Sequence, residues 1–340
     1  MNKIIELRSD TFTMPSKQMK DYMFNAQVGD DVYGEDPSVN ALEEKVARLT
    51  NKESALFATS GTQANLLAML SHCQRGEEYI CGQDSHIFKY EGGGSSVLGG
   101  IVAQPIEFEI DGTLDLNKVN KKIKPDDFHF AMTKLLCLEN THDGKVLPLS
   151  YLQEARKFTH DKNLLLHLDG ARVFNAVIDL GIDIKDISAC FDSMSICISK
   201  GLGAPVGSVL VGSKEFINKA RRYRKMLGGG LRQSGYLAAA CSYALDNNIK
   251  DLQIDHENAK KLALELEKIN QIKILSNDTN MIFIELKDTN VGLLINYLKN
   301  KGINISGTYD ELRVVTHRDV TSEDIDYVIE AFKEFFKNKL

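Results

Sequence analysis

Between Ala55 and Ile198 the chain repeats one pattern: a short apolar run, a turn, then residues with helical periodicity. Apolar runs fall at Ala55–Ala58, Glu78–Cys81, Ile101–Ile106, Ala131–Leu138, Leu164–Leu168 and Ser193–Ile198. Helical patterns at Leu116–Lys124 and Leu149–His160 stand between some of them, and Ser38–Leu49 sets Val39, Leu42, Val46 and Leu49 on one face. Strands alternating with helices predict an α/β fold with a mainly parallel, doubly wound sheet covered on both faces. Ligands of such sheets sit outside the carboxyl ends of the strands. Ser60, Asp169 and Lys200 all stand at such ends.

After Asn247-Asn248 the pattern changes. Helix (255–269), strand (272–275), strand (281–286), helix (292–300), strand (303–306), strand (312–316) and helix (322–337) predict a small α+β unit. The expected division is an N-terminal arm and large domain over 1–248, and a small C-terminal domain over 249–340. A formal charge of −6 without a Lys/Arg block argues against nucleic acid or an anionic membrane as partner. No apolar run approaches the ~18 residues of a membrane span. Cys73, Cys81, Cys137, Cys190, Cys197 and Cys241 are widely spaced, with no C-x-x-C pair, which suits reduced, buried thiols. With no apolar leader at MNKIIELRSD, a cytoplasmic protein is expected.

Four stretches carry chemistry. In FDSMSICISKGLGAPVGSVLVG (191–212), two apolar runs flank a Gly/Pro-rich turn, and Lys200 stands at the lip of the first. A lysine at a strand end is ordinarily a surface residue. Buried, it would lose hydration and offer a free amine to a carbonyl. Ser60-Gly61-Thr62 lies at a strand-to-helix turn, where backbone N–H groups and hydroxyls suit a phosphate, or where a plain N-cap would serve equally. No G-x-x-x-x-G-K-[ST] and no early G-x-G-x-x-G is present, against nucleotide and dinucleotide sites. LLLHLDGAR (164–172) ends a buried strand on Asp169, which either caps the next helix or meets a positive partner such as a protonated pyridine. His86 in QDSHIFKYEGGG (83–94) could stack on a ring, act as an acid or base, or serve structure alone. The histidines have no metal-ligand spacing, and no metal is expected.

SDTFTMPS (9–16), VGDDVYGEDPSVNALE (28–43), SGTQAN (60–65), LENTHDGKVLP (139–148), DGARVFNA (169–176), SICISKGLGAPVGS (195–208), GGGLRQSG (228–235) and LRVVTH (312–317) resemble, in order, the low-specificity L-threonine aldolases. These are fold type I enzymes of the aspartate aminotransferase superfamily and use pyridoxal 5′-phosphate (PLP). The resemblance implies that Lys200 is the Schiff-base lysine, Asp169 pairs with the ring nitrogen and His86 stacks on the ring. It further implies that Gly61 and Thr62 hold the phosphate, that Arg172 lies beside the phenolic oxygen and the substrate, and that Ser9 and Arg313 bind the substrate carboxylate. Tyr33 and Arg232 resemble residues placed near a neighbouring subunit's site, implying a homo-oligomer, a dimer of dimers. His129 matches a second histidine of the active-site region. Tyr90 and Leu227 depart from the pattern, where a phenylalanine and a threonine are expected. The implied reaction is retro-aldol cleavage of L-threonine or L-allo-threonine to glycine and acetaldehyde, with His86 or His129 as base. β-Elimination or transamination on the same scaffold is the competing enzyme reading. A non-catalytic PLP-binding regulator is disfavoured because the chain has no spare segment for a recognition module.

Overall fold

The computed structural model describes residues 3–287, 289–308 and 311–337. In chain order the strands are β1 (Ile5–Glu6), β2 (Ser54–Ala58), β3 (Glu77–Gly82), β4 (Val102–Ile106), β5 (Met132–Glu139), β6 (Leu165–Gly170) and β7 (Ser193–Cys197). They continue as β8 (Ser208–Gly212), β9 (Ile272–Asp278), β10 (Met281–Leu286), β11 (Ile303–Asn304), β12 (Ser306–Thr308) and β13 (Glu311–Val315). β2 to β8 build one seven-stranded sheet in the order β2-β8-β7-β6-β5-β3-β4. β4, β3, β5, β6 and β7 run parallel, and β8 is antiparallel to both its neighbours. The connection 198–207 explains β8, because a parallel partner needs a crossover of about a dozen residues or more.

Both faces of this sheet are dry. Leu136, Leu138, Leu166, Leu168 and Ile196 point into one core, while Leu135, Cys137, Tyr79 and Leu210 point into the other with the helix Gly61–His72. That two-sided burial is why these strands read as continuous apolar runs. β9, β10, β13 and β12 instead form an antiparallel sheet in the order β12-β13-β10-β9. The burial of β9 alternates along its length, as in a sheet wetted on one side. Ile5 and Leu7 of the N-terminal arm join this C-terminal core, since β1 pairs in parallel with β11.

Four helices escape the sequence pattern: His86–Lys89, Gly94–Gly99, Val173–Leu180 and Ile184–Ser188. Three are two turns or less, and VFNAVIDL, only eight residues with Asn175 and Asp179 on one face, is too short for its period to stand out beside the apolar runs. The helix predicted over 255–269 runs Leu252–Leu266, and the strand predicted over 303–306 is split into β11 and β12.

Candidate active site

Register places the polar residues in rows. Glu139, Asp169 and Ser195 are neighbours at the carboxyl ends of β5, β6 and β7, and Cys137, His167 and Ser193 form the row two residues earlier. Period two therefore sends His167 and Asp169 to one face and Leu166 and Leu168 to the other. The helix Gly61–His72 lies over the polar face and inserts Asn65 between the rows.

Asp169 is 3% exposed. Its Oδ1 accepts the Ala171 N–H at 3.0 Å and its Oδ2 the Asn65 amide at 2.7 Å. The same amide donates to Glu91 Oε1 at 2.8 Å, and that oxygen lies 2.8 Å from His86 Nδ1. The bond to Glu91 raises His86 above the ordinary imidazole range, and burial raises the Glu91 carboxyl in turn, with the charge of Asp169 adding to it. The His86 backbone N–H donates to Glu139 at 2.7 Å, and Glu139 holds His142 at 3.1 Å. His142 stacks on Phe108 at 3.8 Å between centroids. A Cβ at Gly82 would stand 2.0 Å from that phenylalanine ring, so only glycine lets the ring pack there. Ligating atoms of His86, Glu91 and Asp169 lie within 4.8 Å of one another, but the Asn65 and His86 hydrogen bonds already tie the three together.

Lys200 follows β7 and is half-buried. Its carbonyl accepts from the Thr13 hydroxyl at 2.7 Å and from the Gly203 N–H at 2.8 Å, which fixes the backbone under the side chain. Gly207, at φ +131°, has Cys241 Sγ 2.5 Å from where a Cβ would be, so this turn demands a bare backbone. Burial works against ionised Asp10, yet Arg172, with Lys200 also near, holds it down at about 2. Arg172 grips that carboxylate with two bonds of 2.8 and 2.7 Å.

At the start of the helix Gly61–His72, the Ser60 hydroxyl caps Gln63 N–H at 3.1 Å. The N–H groups of Gly61 and Thr62 have no acceptor among the described residues. Beside Gly61 lies the buried Ser208 hydroxyl, also without a partner. Arg313 on β13 donates to the Arg8 carbonyl at 3.1 Å, leaving its buried Nε unpartnered. Ser9, next to Arg8, caps the short turn Asp10–Phe12.

His86, Asp169, Arg172 and Lys200 thus share one cluster with Asp10, and Ser9 adjoins Arg313. His129 does not join it: the side chain is 65% exposed, bonded to Asp127 at 2.6 Å. Tyr33 is 76% exposed, and its segment meets that of Arg232, which pairs with Asp30 at 3.2 Å. Tyr90 ends the helix His86–Lys89 with its ring 5.8 Å from that of His86, and Leu227 caps the helix Lys214–Met226. Sequence reasoning passed over Asp10, Asn65, Glu91, Glu139 and His167. His167 was within reach, since it breaks an apolar strand two residues before Asp169.

The doubly wound sheet carries a lysine, a buried carboxylate and an open helix N-terminus at its carboxyl edge, and its architecture matches the fold type I class. Residues 6–289 match the model of the beta-eliminating lyase family. The chain is 53% identical over 332 residues to the low specificity L-threonine aldolase of Escherichia coli K12, covering 98% of this chain and 99% of that one. It is 42% identical over 347 residues to a probable low-specificity L-threonine aldolase of Arabidopsis thaliana, covering 98% of each. Its fold is similar to that of the Leishmania major threonine aldolase, with a TM-score of 0.85 at 21% identity, covering 98% of this chain and 99% of the other. The chain belongs to the beta-eliminating lyase family, among its low-specificity L-threonine aldolases.

Proposed function

We propose that this cleft holds pyridoxal 5′-phosphate and cleaves the Cα–Cβ bond of L-threonine, L-allo-threonine and related β-hydroxy-α-amino acids. The products are glycine and acetaldehyde, or the corresponding aldehyde. One observation carries the cofactor assignment. Asp169 is 3% exposed, accepts only from two neutral donors, and has no cationic partner among the described residues. A carboxylate so buried costs several kcal/mol unless a cation meets it, and a protonated pyridine nitrogen is that cation. The free N–H groups of Gly61 and Thr62 and the orphaned Ser208 hydroxyl suit a phosphate at the other end. Bound there, the cofactor supplies an electron sink conjugated to the substrate's amino nitrogen.

The chain's own residues do the rest. Lys200 would hold the cofactor's aldehyde carbon through its side-chain amine. Arg313 and Ser9, with Arg172 nearby, would bind the substrate carboxylate and so fix the direction of the Cα–Cβ bond. His86 is the base for the β-hydroxyl proton, directly or through a water. Glu91 holds its Nδ1, so the Nε2 lone pair is the one that accepts. His129 ranks second, as an exposed residue with no hydrogen bond to this cluster.

Exposed Met14, Phe24, Tyr33, Val97 and Met226 support self-association, here as a dimer of dimers in which Tyr33 and Arg232 adjoin a neighbouring cleft. The six cysteines are free and buried, which supports a reducing, cytoplasmic setting. The proposed boundary between the large and small domains is residue 248. To test the function, purified protein supplied with PLP is incubated with each threonine diastereomer. Equimolar glycine and acetaldehyde are expected; keto acid and ammonia would assign β-elimination instead.

A further inference from the structure

Asn65 is 1% exposed, and its amide meets four groups. Nδ2 lies 2.7 Å from Asp169 Oδ2 and 2.8 Å from Glu91 Oε1. Oδ1 lies 2.7 Å from the Ser195 hydroxyl and 3.4 Å from His167 Nε2. A carboxylate only accepts, so the NH2 must face Asp169 and the carbonyl must face the other pair. That choice propagates. His167 must carry its proton on Nε2, so its Nδ1 accepts from the Ser193 hydroxyl at 2.8 Å. Ser193 then accepts from His72 Nε2 at 2.6 Å, and the His72 ring is stacked on Phe216 at 4.3 Å. Burial pushes both histidines down to about 3, helped by Lys219 at His72 and by His72 at His167, and opposed at His167 by the charge of Asp169. The chain His72–Ser193–His167–Asn65 therefore runs in one direction only. Asn65, His167, Ser193 and Ser195 are all at most 1% exposed, so no water competes for these bonds.

We propose that Asn65 is a positioning residue for the cofactor's ring nitrogen, acting through Asp169, and that the chain from His72 locks its amide in the donating orientation. This rests on the reading that the cleft holds PLP. Turned by 180°, the amide would set its carbonyl against two carboxyl groups and leave the Ser195 and His167 donors unmatched. A buried strand row, far from the substrate, thereby sets the rotation of the carboxylate that meets the ring. The titratable groups facing Asn65 are Asp169 on β6, His86 and Glu91 from the segment that follows β3, and His167 beneath it, with Cys137 beside them on β5.

Two measurements test this. In the PLP-free protein labelled with 15N-histidine, long-range imidazole spectra are expected to give the neutral Nε2–H form for His72 and His167 from pH 5.5 to 8. A protonated ring or an Nδ1–H form at His167 would overturn the chain whatever the cleft binds. In the second, PLP is titrated into wild type, Asn65→Ala and Asn65→Asp, followed by visible absorbance. Both variants are expected to bind ~10–100-fold more weakly, the usual cost of losing an outer-shell partner. Asn65→Asp keeps the acceptor for Ser195 and almost the same shape, so it controls for misfolding. It sets a like charge beside Asp169, so its affinity is expected to recover as the pH falls from 8 to 5.5, whereas that of Asn65→Ala does not. A purely structural role predicts no such split. Wild-type affinity in both variants overturns the positioning role, and a wild type that binds no PLP overturns the reading of the cleft and that role with it.

Discussion

The two walls of the cleft handle polar groups differently. On the wall formed by β5, β6, the helix Gly61–His72 and the segment after β3, Asp169, Asn65, Glu91, His86 and Glu139 are bonded to one another before any ligand arrives. Around β13 and the helix Leu252–Leu266, a second wall, Arg313 keeps a buried Nε without an acceptor, and Asp255, 1% exposed beside Gly201, has both carboxylate oxygens bare. The first wall is bonded within itself; the second leaves a donor, Arg313 Nε, and an acceptor, the Asp255 carboxyl, unmatched. Preorganised dipoles stabilise charge because they need no rearrangement as it develops. Uncommitted donors do the opposite job, giving binding energy that depends on the substrate being present.

The comparison breaks most severely at Lys200, which serves both walls. Lys200→Ala is expected to lower glycine formation from threonine by ~1,000-fold or more, as loss of a covalent anchor does. A rate near that of wild type would remove Lys200 from the chemistry. Next comes His86, on the organised wall. His86→Phe keeps an aromatic face and loses the base, so kcat should fall ~100-fold or more while PLP still binds. The pH profile carries the same assignment. His86 acts as a base only when neutral, and Glu91 raises its pKa, so the acidic limb of kcat/KM should lie above 6.5. Glu91→Gln should move that limb down; an unmoved limb would detach Glu91 from His86.

On the second wall, Arg313→Lys keeps the charge but loses the planar fork, and kcat/KM should fall ~10–100-fold, chiefly through KM. PLP affinity should not change. A loss of cofactor instead would mean that the two walls are not separate. The smallest effect concerns Asp255. Burial first, then the charge of Asp10, raise its carboxyl from 3.8 to about 8. The folded state therefore holds a proton that the unfolded chain releases near 3.8. Its stability from this group is complete below that pH and is lost as pH rises through about 8. Asp255→Asn should raise Tm at both pH 5 and pH 9, and by a few degrees more at pH 9, where the wild-type carboxyl is charged and unpaired. Equal Tm values at both pH values would place a partner on that carboxylate.

The same contrast explains what could be read from the sequence. Strands buried on both faces leave continuous apolar runs, so β2, β3 and β5 to β7 were legible, as were the residues that end them, Asp169 and Lys200. Parallel packing was legible too, because helices fall between the runs. Asn65 and Glu91 were not, since Asn65 meets Glu91, Asp169 and Ser195 from 26 or more residues away, and SGTQAN and KYEGGG give no local reason for a buried amide or carboxyl. The bare donors of the substrate wall were equally hidden. Arg313 looks like any strand arginine until β1 is seen to pair with β11 and bring Arg8 and Ser9 beside it. Only the resemblance to a known family singled it out.

The most direct test of the organised wall is the affinity of PLP for the PLP-free protein and for its Asp169→Asn variant, measured by calorimetric titration at pH 7.5. Asparagine keeps the shape and the bond from the Ala171 N–H, loses the acceptor for the Asn65 amide, and removes the charge that a protonated ring nitrogen requires. A Kd at least ~10-fold weaker, with Arg313→Lys unchanged in parallel, is the expected result. Equal affinity for wild type and Asp169→Asn would contradict the account, because the buried carboxylate would then have some partner other than the cofactor.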